Sequence, residues 1–199
     1  MGDIHVDAAV YNLTTDTDLM LAVKAGEEPC FDLLLVRHRG PIVHFIFRMV
    51  QNSDIAEELA QEVFLRVYQS RGRYTADAKF TTWLYRIATN RALNWLRDNR
   101  RHNETERLDA VSPEGIRRQI ADPSISAENR AMREEILRGI RGAVMQLPDR
   151  QRAAVLMHKY DELDYHQIAE ALECSPQAVK SLLFRAYTAL RLTLEGVAV

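Results

Sequence analysis

Apolar residues in this chain recur at intervals of three and four and almost nowhere at two, which leaves helices as the regular structure the sequence can build. With 8 Gly and 6 Pro among 199 residues, the turn signals that would separate many short strands are also missing. The expectation is an all-α protein. A short helix is predicted over 16–26, and a longer one from Pro29 carries Phe31, Leu34, Leu35, His38, Ile42, Phe45, Ile46 and Met49 on one side. Gly40-Pro41 is expected to interrupt and kink it, because proline lacks the N–H a helix needs. Further helices are predicted from an N-cap at Ser53 to about Ser70, over 82–101 and over 128–146, then one opened by Pro148 and two short ones at the end.

The periodicity fails in "RHNETERLDAVSPEGIRRQIADPSIS", which is polar and contains two prolines. We read 102–127 as a flexible linker between two small helical domains, 16–101 and 128–199, with a loose leader at 1–15. A net charge of −2 says little, but its distribution is uneven: residues 1–65 hold 4 Lys/Arg and 11 Asp/Glu, whereas residues 66–101 hold 9 and 2. A basic block suggests a polyanion such as nucleic acid, an acidic block a partner of opposite character; solvated helix faces explain both equally. Cys30 and Cys174 form no CxxC pair, so neither a disulfide framework nor a zinc site is indicated, and no cofactor is. No secretory leader and no apolar run of spanning length is present, so a soluble, cytoplasmic protein without membrane insertion is expected.

The segment "DYHQIAEALECSPQAVKSLLFRAYTALRL" has the pattern of a helix-turn-helix. Asp164 can cap the first helix with Gln167 in capping-box position, Glu173-Cys174-Ser175 forms the turn, and Ser175-Pro176 starts the second helix. Val179, Leu182, Leu183, Ala186, Ala189 and Leu190 gather on one side of that helix. Opposite them lie Gln177, Lys180, Ser181, Phe184, Arg185, Thr188 and Arg191, a face with three cations and no acid. Such a face suits a major groove, where phosphates need cations and base edges need donors, acceptors or an apolar contact to a thymine methyl. The alternative is an ordinary surface helix with Phe184 tucked against a neighbour.

In "FTTWLYRIATNRALNWLRDNRR" a strip of Trp83, Arg86, Asn90, Asn94 and Arg97 repeats at three and four. Aromatic, cation and amide together are what single-stranded DNA needs for stacking, hydrogen bonding and phosphate contact. Core packing of Trp83 among solubilising arginines fits the spacing as well. The preceding "SDIAEELAQEVFLRVYQ" has Glu57, Glu58, Gln61, Leu65 and Tyr68 on its outer side, where apolar groups within an acidic face suggest a protein-binding patch.

These three elements, with "LPDRQRAAVLMHKYDELDYHQIAEALECSPQAVKSLLFRAYTALR", resemble the extracytoplasmic-function (ECF, group IV) sigma factors of bacterial RNA polymerase, of the sigma-70 family, over about residues 16–192. The resemblance implies a non-enzymatic promoter-specificity subunit with two helical domains, σ2 and σ4. It implies that Glu58, Gln61, Glu62 and Leu65 dock on the β′ clamp helices of core polymerase. Residues 71–77 and the strip with Trp83, Arg86, Asn90, Asn94 and Arg97 would read the −10 element and hold a flipped base; Lys180, Ser181, Phe184 and Arg185 would read the −35 element in duplex DNA. Many members of the family are held inactive by an anti-sigma factor. The rival is a free-standing helix-turn-helix regulator of duplex DNA, which needs neither the strip nor the acidic patch. Paired acids and scattered histidines form no catalytic or metal-ligand constellation.

Overall fold

The computed structural model describes residues 15–105 and 127–195, so the expected leader at 1–15 and linker at 102–127 lie largely outside the described residues. Among the described residues there are eight α-helices and no strand: α1 Asp16–Ala25, α2 Glu28–Val50, α3 Ser53–Gln69, α4 Phe80–Thr105, α5 Ala127–Met145, α6 Asp149–Lys159, α7 Tyr165–Ala171 and α8 Pro176–Glu195, with a 3-10 turn at Arg71–Arg73. The all-helical expectation holds.

The ends of these helices follow from local chemistry. The Thr15 hydroxyl accepts from the Asp18 N–H at 3.1 Å to start α1, and Gly26 ends it at φ 109°, a left-handed conformation that costs a residue without Cβ little. The cap of α3 is Asn52 and not Ser53: its Oδ1 accepts from the Asp54 and Ile55 N–H groups at 3.0 and 3.1 Å. The expected interruption at Gly40-Pro41 also needs correction, since α2 continues through Pro41 to Val50. Proline forfeits only the bond to the Arg37 carbonyl, and Arg37, Gly40 and Pro41 all lie on the exposed side, where water can replace it.

Helices α1 to α4 pack around Leu34, Ile42, Phe45, Met49, Leu59 and Val63, which are fully or almost fully buried. Helices α6 to α8 close around Leu156, Met157, Ile168, Leu172, Val179 and Leu183. The two groups touch: α4 lies against α6 and α7, and α2 against α6. Their buried residues form one continuous cluster, at whose seam the Thr89 hydroxyl lies 3.9 Å from the Met157 sulfur. Arg152 is 2% exposed in the second group and is held there by the carboxylate of Asp149. Burial disfavours its charge, and Asp149 restores much of it.

Candidate nucleic-acid and partner interfaces

Helix α7 is only seven residues long and depends on its ends. Asp164 Oδ1 accepts from the His166 and Gln167 N–H groups at 2.8 and 2.9 Å, and Gln167 Oε1 accepts from the Asp164 N–H at 2.9 Å, closing the predicted capping box. At the far end Arg150 donates to the Leu172 carbonyl at 2.6 Å, and Glu173 turns the chain with φ 51°. Ser175 Oγ then accepts from the Ala178 N–H at 3.1 Å to open α8. The two helices are therefore fixed relative to one another by named bonds as well as by packing.

That framework presents the expected face of α8. Lys180, Phe184, Arg185, Thr188 and Arg191 are exposed and Ser181 is half-buried; Phe184 reaches 73% exposure, so it is not tucked against a neighbour. Val179, Leu183 and Ala186 are buried, whereas Ala189, expected beside them, faces outward. The Arg185 Nε donates to the Ser181 carbonyl at 3.3 Å, which draws its guanidinium along the helix surface.

On α4 the strip is present: Arg86, Asn90, Asn94 and Arg97 are exposed. Trp83 serves both readings, half-buried with its ring 5.1 Å from that of Tyr74 and 6.1 Å from that of Phe80. Arg97 pairs with Asp98 at 3.2 Å. The loop before α4 is tied down. Lys24 donates to the Tyr74 carbonyl at 2.7 Å, and Arg71 folds over the Tyr68 ring at 4.1 Å, leaving Arg73 as the exposed cation of that turn.

On α3, Glu58, Gln61 and Leu65 are exposed, Leu65 by 57%. Glu62 is ion-paired with Arg91 of α4, and Glu57 with Arg39 of α2 at 2.6 Å. Beside Leu65 an open groove of about 500 Å³ runs between α2 and α3, lined by Phe31, Leu35, Phe64 and Tyr68 with Gln61 at its edge. Sequence reasoning found the α3 half of this groove. It placed Phe31 and Leu35 on one side of α2 without seeing that they border α3, and the signal lay in the aromatic pair Phe31–Tyr68, 5.1 Å apart, that no single-helix period contains.

A second cavity, of about 770 Å³, lies where the two groups of helices meet, with Arg73, Trp83 and Arg86 on one wall and His166, Glu170 and Glu173 on the other. The Tyr85 hydroxyl lies beside the carboxyl group of Asp161 and interacts with it, and the Asp161 Oδ2 is buried without a partner. Burial pushes the Asp161 carboxyl up to about 6, against the Tyr85 bond and the Arg48 charge, which hold it down. Burial, then the neighbouring Asp161 charge, drive the Tyr85 phenol far above its usual range. Arg48 also lies over the Tyr160 ring at 4.2 Å. None of Arg48, Tyr85 or Asp161 stood out in the sequence. Among the described residues no cluster of side chains suited to a metal ion occurs, and no helix is long and apolar enough to cross a membrane.

Residues 34–102 match the family pattern Sigma-70 region 2, and residues 137–190 match Sigma-70, region 4. RNA polymerase sigma-H factor of Pseudomonas aeruginosa is 34% identical over 176 residues, covering 88% of this chain and 91% of that protein. ECF RNA polymerase sigma-E factor of Escherichia coli is 32% identical over 181 residues, with 88% and 92% covered. The chain belongs to the ECF sigma factors of the sigma-70 family. The fold of this sigma factor is similar to that of CnrH, solved in complex with the cytosolic domain of CnrY, with a TM-score of 0.67 at 19% identity over 92% of this chain and 99% of that one. It is also similar to the sigma factor RpoE of Bartonella quintana, solved with the anti-sigma factor NepR, with a TM-score of 0.64 at 19% identity over 83% and 96%.

Proposed function

We propose that this sigma factor binds core RNA polymerase, directs it to promoters by reading −10 and −35 elements, and helps to melt the DNA. The observation that carries the reading is the coexistence, in one chain matching both sigma regions, of an exposed face on α8 that holds no acid from Lys180 to Arg191 and an exposed arginine-amide strip on α4. The first suits duplex DNA and the second unpaired bases. Residues 16–101 form the region 2 domain and residues 128–199 the region 4 domain, joined through 102–127.

In this reading Lys180, Ser181, Phe184 and Arg185 enter the major groove at the −35 element. Trp83, Arg86, Asn90, Asn94 and Arg97 line the path of the −10 strand. Extracting a base from the stack costs a few kcal/mol, roughly, which stacking and hydrogen bonding in a fitted pocket can return. The β′ clamp helices of polymerase engage Glu58, Gln61 and Leu65 on α3 beside the apolar groove, with Glu62 held next to them by Arg91. The protein acts in the cytoplasm, where polymerase and chromosome are, and contributes binding energy with no catalysis of its own. An anti-sigma factor is a further partner, by analogy with the NepR complex of RpoE.

The test is in vitro transcription with purified core polymerase over a genomic DNA library, mapping start sites. A discrete set of start sites absent without this protein is expected. Intact duplex binding with no initiation would instead mark a helix-turn-helix regulator that works without polymerase.

A further inference from the structure

One ion pair joins two faces that promoter reading keeps for different partners. Glu62 of α3 is next to Gln61 and three residues before Leu65, on the face read as docking polymerase. Its carboxylate pairs with Arg91 of α4, which is next to Asn90 and three residues before Asn94, on the strip read as holding the −10 strand. We propose that Arg91 is a further contact to the phosphodiester backbone of the −10 strand, and that Glu62 is the positioning residue that aims it. The inference rests on the promoter-reading function above and deepens it at the same strip.

Helix geometry puts Arg91 beside the strand. At about 100° per residue, Trp83, Arg86, Asn90, Asn94 and Arg97 fall within about 40° of one line along α4. Arg91 is rooted about 100° round from that line, on the flank that meets α3. A strand whose bases lie on the strip carries its phosphates to the side, within reach of a long cationic side chain on that flank.

The guanidinium is held so that one arm is left for a ligand. Nη2 is on Glu62 and Nε is buried without a hydrogen bond, so Nη1 is the nitrogen left to meet a phosphate oxygen. The side chain is 33% exposed, which admits a ligand. A guanidinium is planar and keeps its proton, so a carboxylate at one edge sets its plane without removing its charge. Glu62 thereby takes away in advance the rotamer freedom that an unheld arginine loses on binding. Glu62 also repels a phosphate beyond the fork, but both side chains are a third or more exposed, where water and salt weaken that repulsion.

Salt dependence separates a phosphate contact from a structural bolt between α3 and α4. The probe is a fork-junction duplex whose unpaired strand is the non-template −10 strand of a promoter recovered by the start-site mapping. It is bound by preformed holoenzyme of the full-length protein and core polymerase, which keeps any change in polymerase docking out of the measured constants. Arg91→Gln should bind the probe about tenfold more weakly at low salt, and its slope of log K against log salt should be shallower by about 0.7, the share of one phosphate on a single strand. Arg91→Lys should restore the slope, because it restores the charge. Unchanged affinity in Arg91→Gln, or weaker binding with the wild-type slope, overturns the contact. Base preference within the −10 element should stay as in the wild type; a preference altered at one base moves Arg91 off the backbone and overturns the assignment as well.

Glu62→Gln gives an independent arm, since it leaves the Arg91 charge and removes only its orientation. It should weaken the complex several-fold with the slope unchanged, and have no further effect in the Arg91→Gln background. Tighter binding would mean that Glu62 withholds Arg91 from DNA, and equal losses in both backgrounds that Glu62 acts elsewhere; either result overturns the positioning role. If the wild-type holoenzyme gives no discrete start sites, promoter reading has failed and this inference falls with it. Wild-type initiation with an unaffected Arg91→Gln holoenzyme sinks the inference alone.

Discussion

Phe184 and Arg185 stand side by side on the wet face of α8, and their exposure makes opposite demands on stability and on recognition. Replacing Phe184 by Ala should leave the melting temperature almost unchanged, because substitutions at exposed positions cost within about 0.5 kcal/mol. The same change should alter preference at one −35 position, read in a binding selection over every variant of the element. Arg185→Ala should relax discrimination at one −35 base by about 1–3 kcal/mol; an unchanged base preference would remove Arg185 from the reading face. The exposed phenylalanine was legible because the stripe of Val179, Leu183 and Ala186 is complete without it. Ala189 was misplaced because a methyl group carries too little apolar area for periodicity to fix its side. Trp83 was ambiguous for the converse reason: a large indole can pack against Tyr74 and still offer an edge to a ligand, and half-burial is what results.

Among elements, the helix-turn-helix was the most legible, since its capping box, turn and second cap are written in adjacent residues. Asp164→Ala should lower stability by about 1 kcal/mol in thermal unfolding, an effect concentrated in α7 because a seven-residue helix is too short to persist without its ends. The start of α3 was read one residue late because Asn52, Ser53 and Asp54 are all competent caps, and only the backbone decides which carbonyl begins the ladder. The unbroken course of α2 was missed because a sequence shows a proline's lost bond but not whether water can take its place. On α3, changing Gln61 and Leu65 together to Ala should weaken association with core polymerase in gel filtration while leaving duplex binding intact. An unaltered complex would remove this face from the polymerase interface.

For the whole molecule, the sequence divided the chain correctly into two helical groups but gave no sign that they pack together. Each residue of the seam is ordinary by itself: Arg48 is one surface-spaced cation, Tyr85 one core aromatic, Asp161 one acid in a turn. Only their meeting, across more than 70 residues of sequence, makes a contact. That meeting has a pH dependence. Asp161 is faced by Tyr85 from α4 and Arg48 from α2, and its carboxyl rises from 3.8 to about 6 in the packed form. The packed form therefore holds the proton more tightly, so its added stability is complete below pH 3.8 and lost as pH rises through about 6. Urea titration should show the ratio of folded to unfolded protein gaining a contribution from this group that falls about tenfold from pH 5 to pH 7, and Asp161→Asn should remove that contribution. Asp149 sets how easily the two groups part. Its carboxylate receives Arg100 from across the seam and Arg152 from within its own group, and the proximity of Arg100 disfavours the charge on Arg152. Without Arg100, Asp149 would keep its inner partner, and that inner pair would be neutral and tighter. The bridge across the seam behaves as a detachable coupling: its loss would leave no orphaned charge inside the second group of helices.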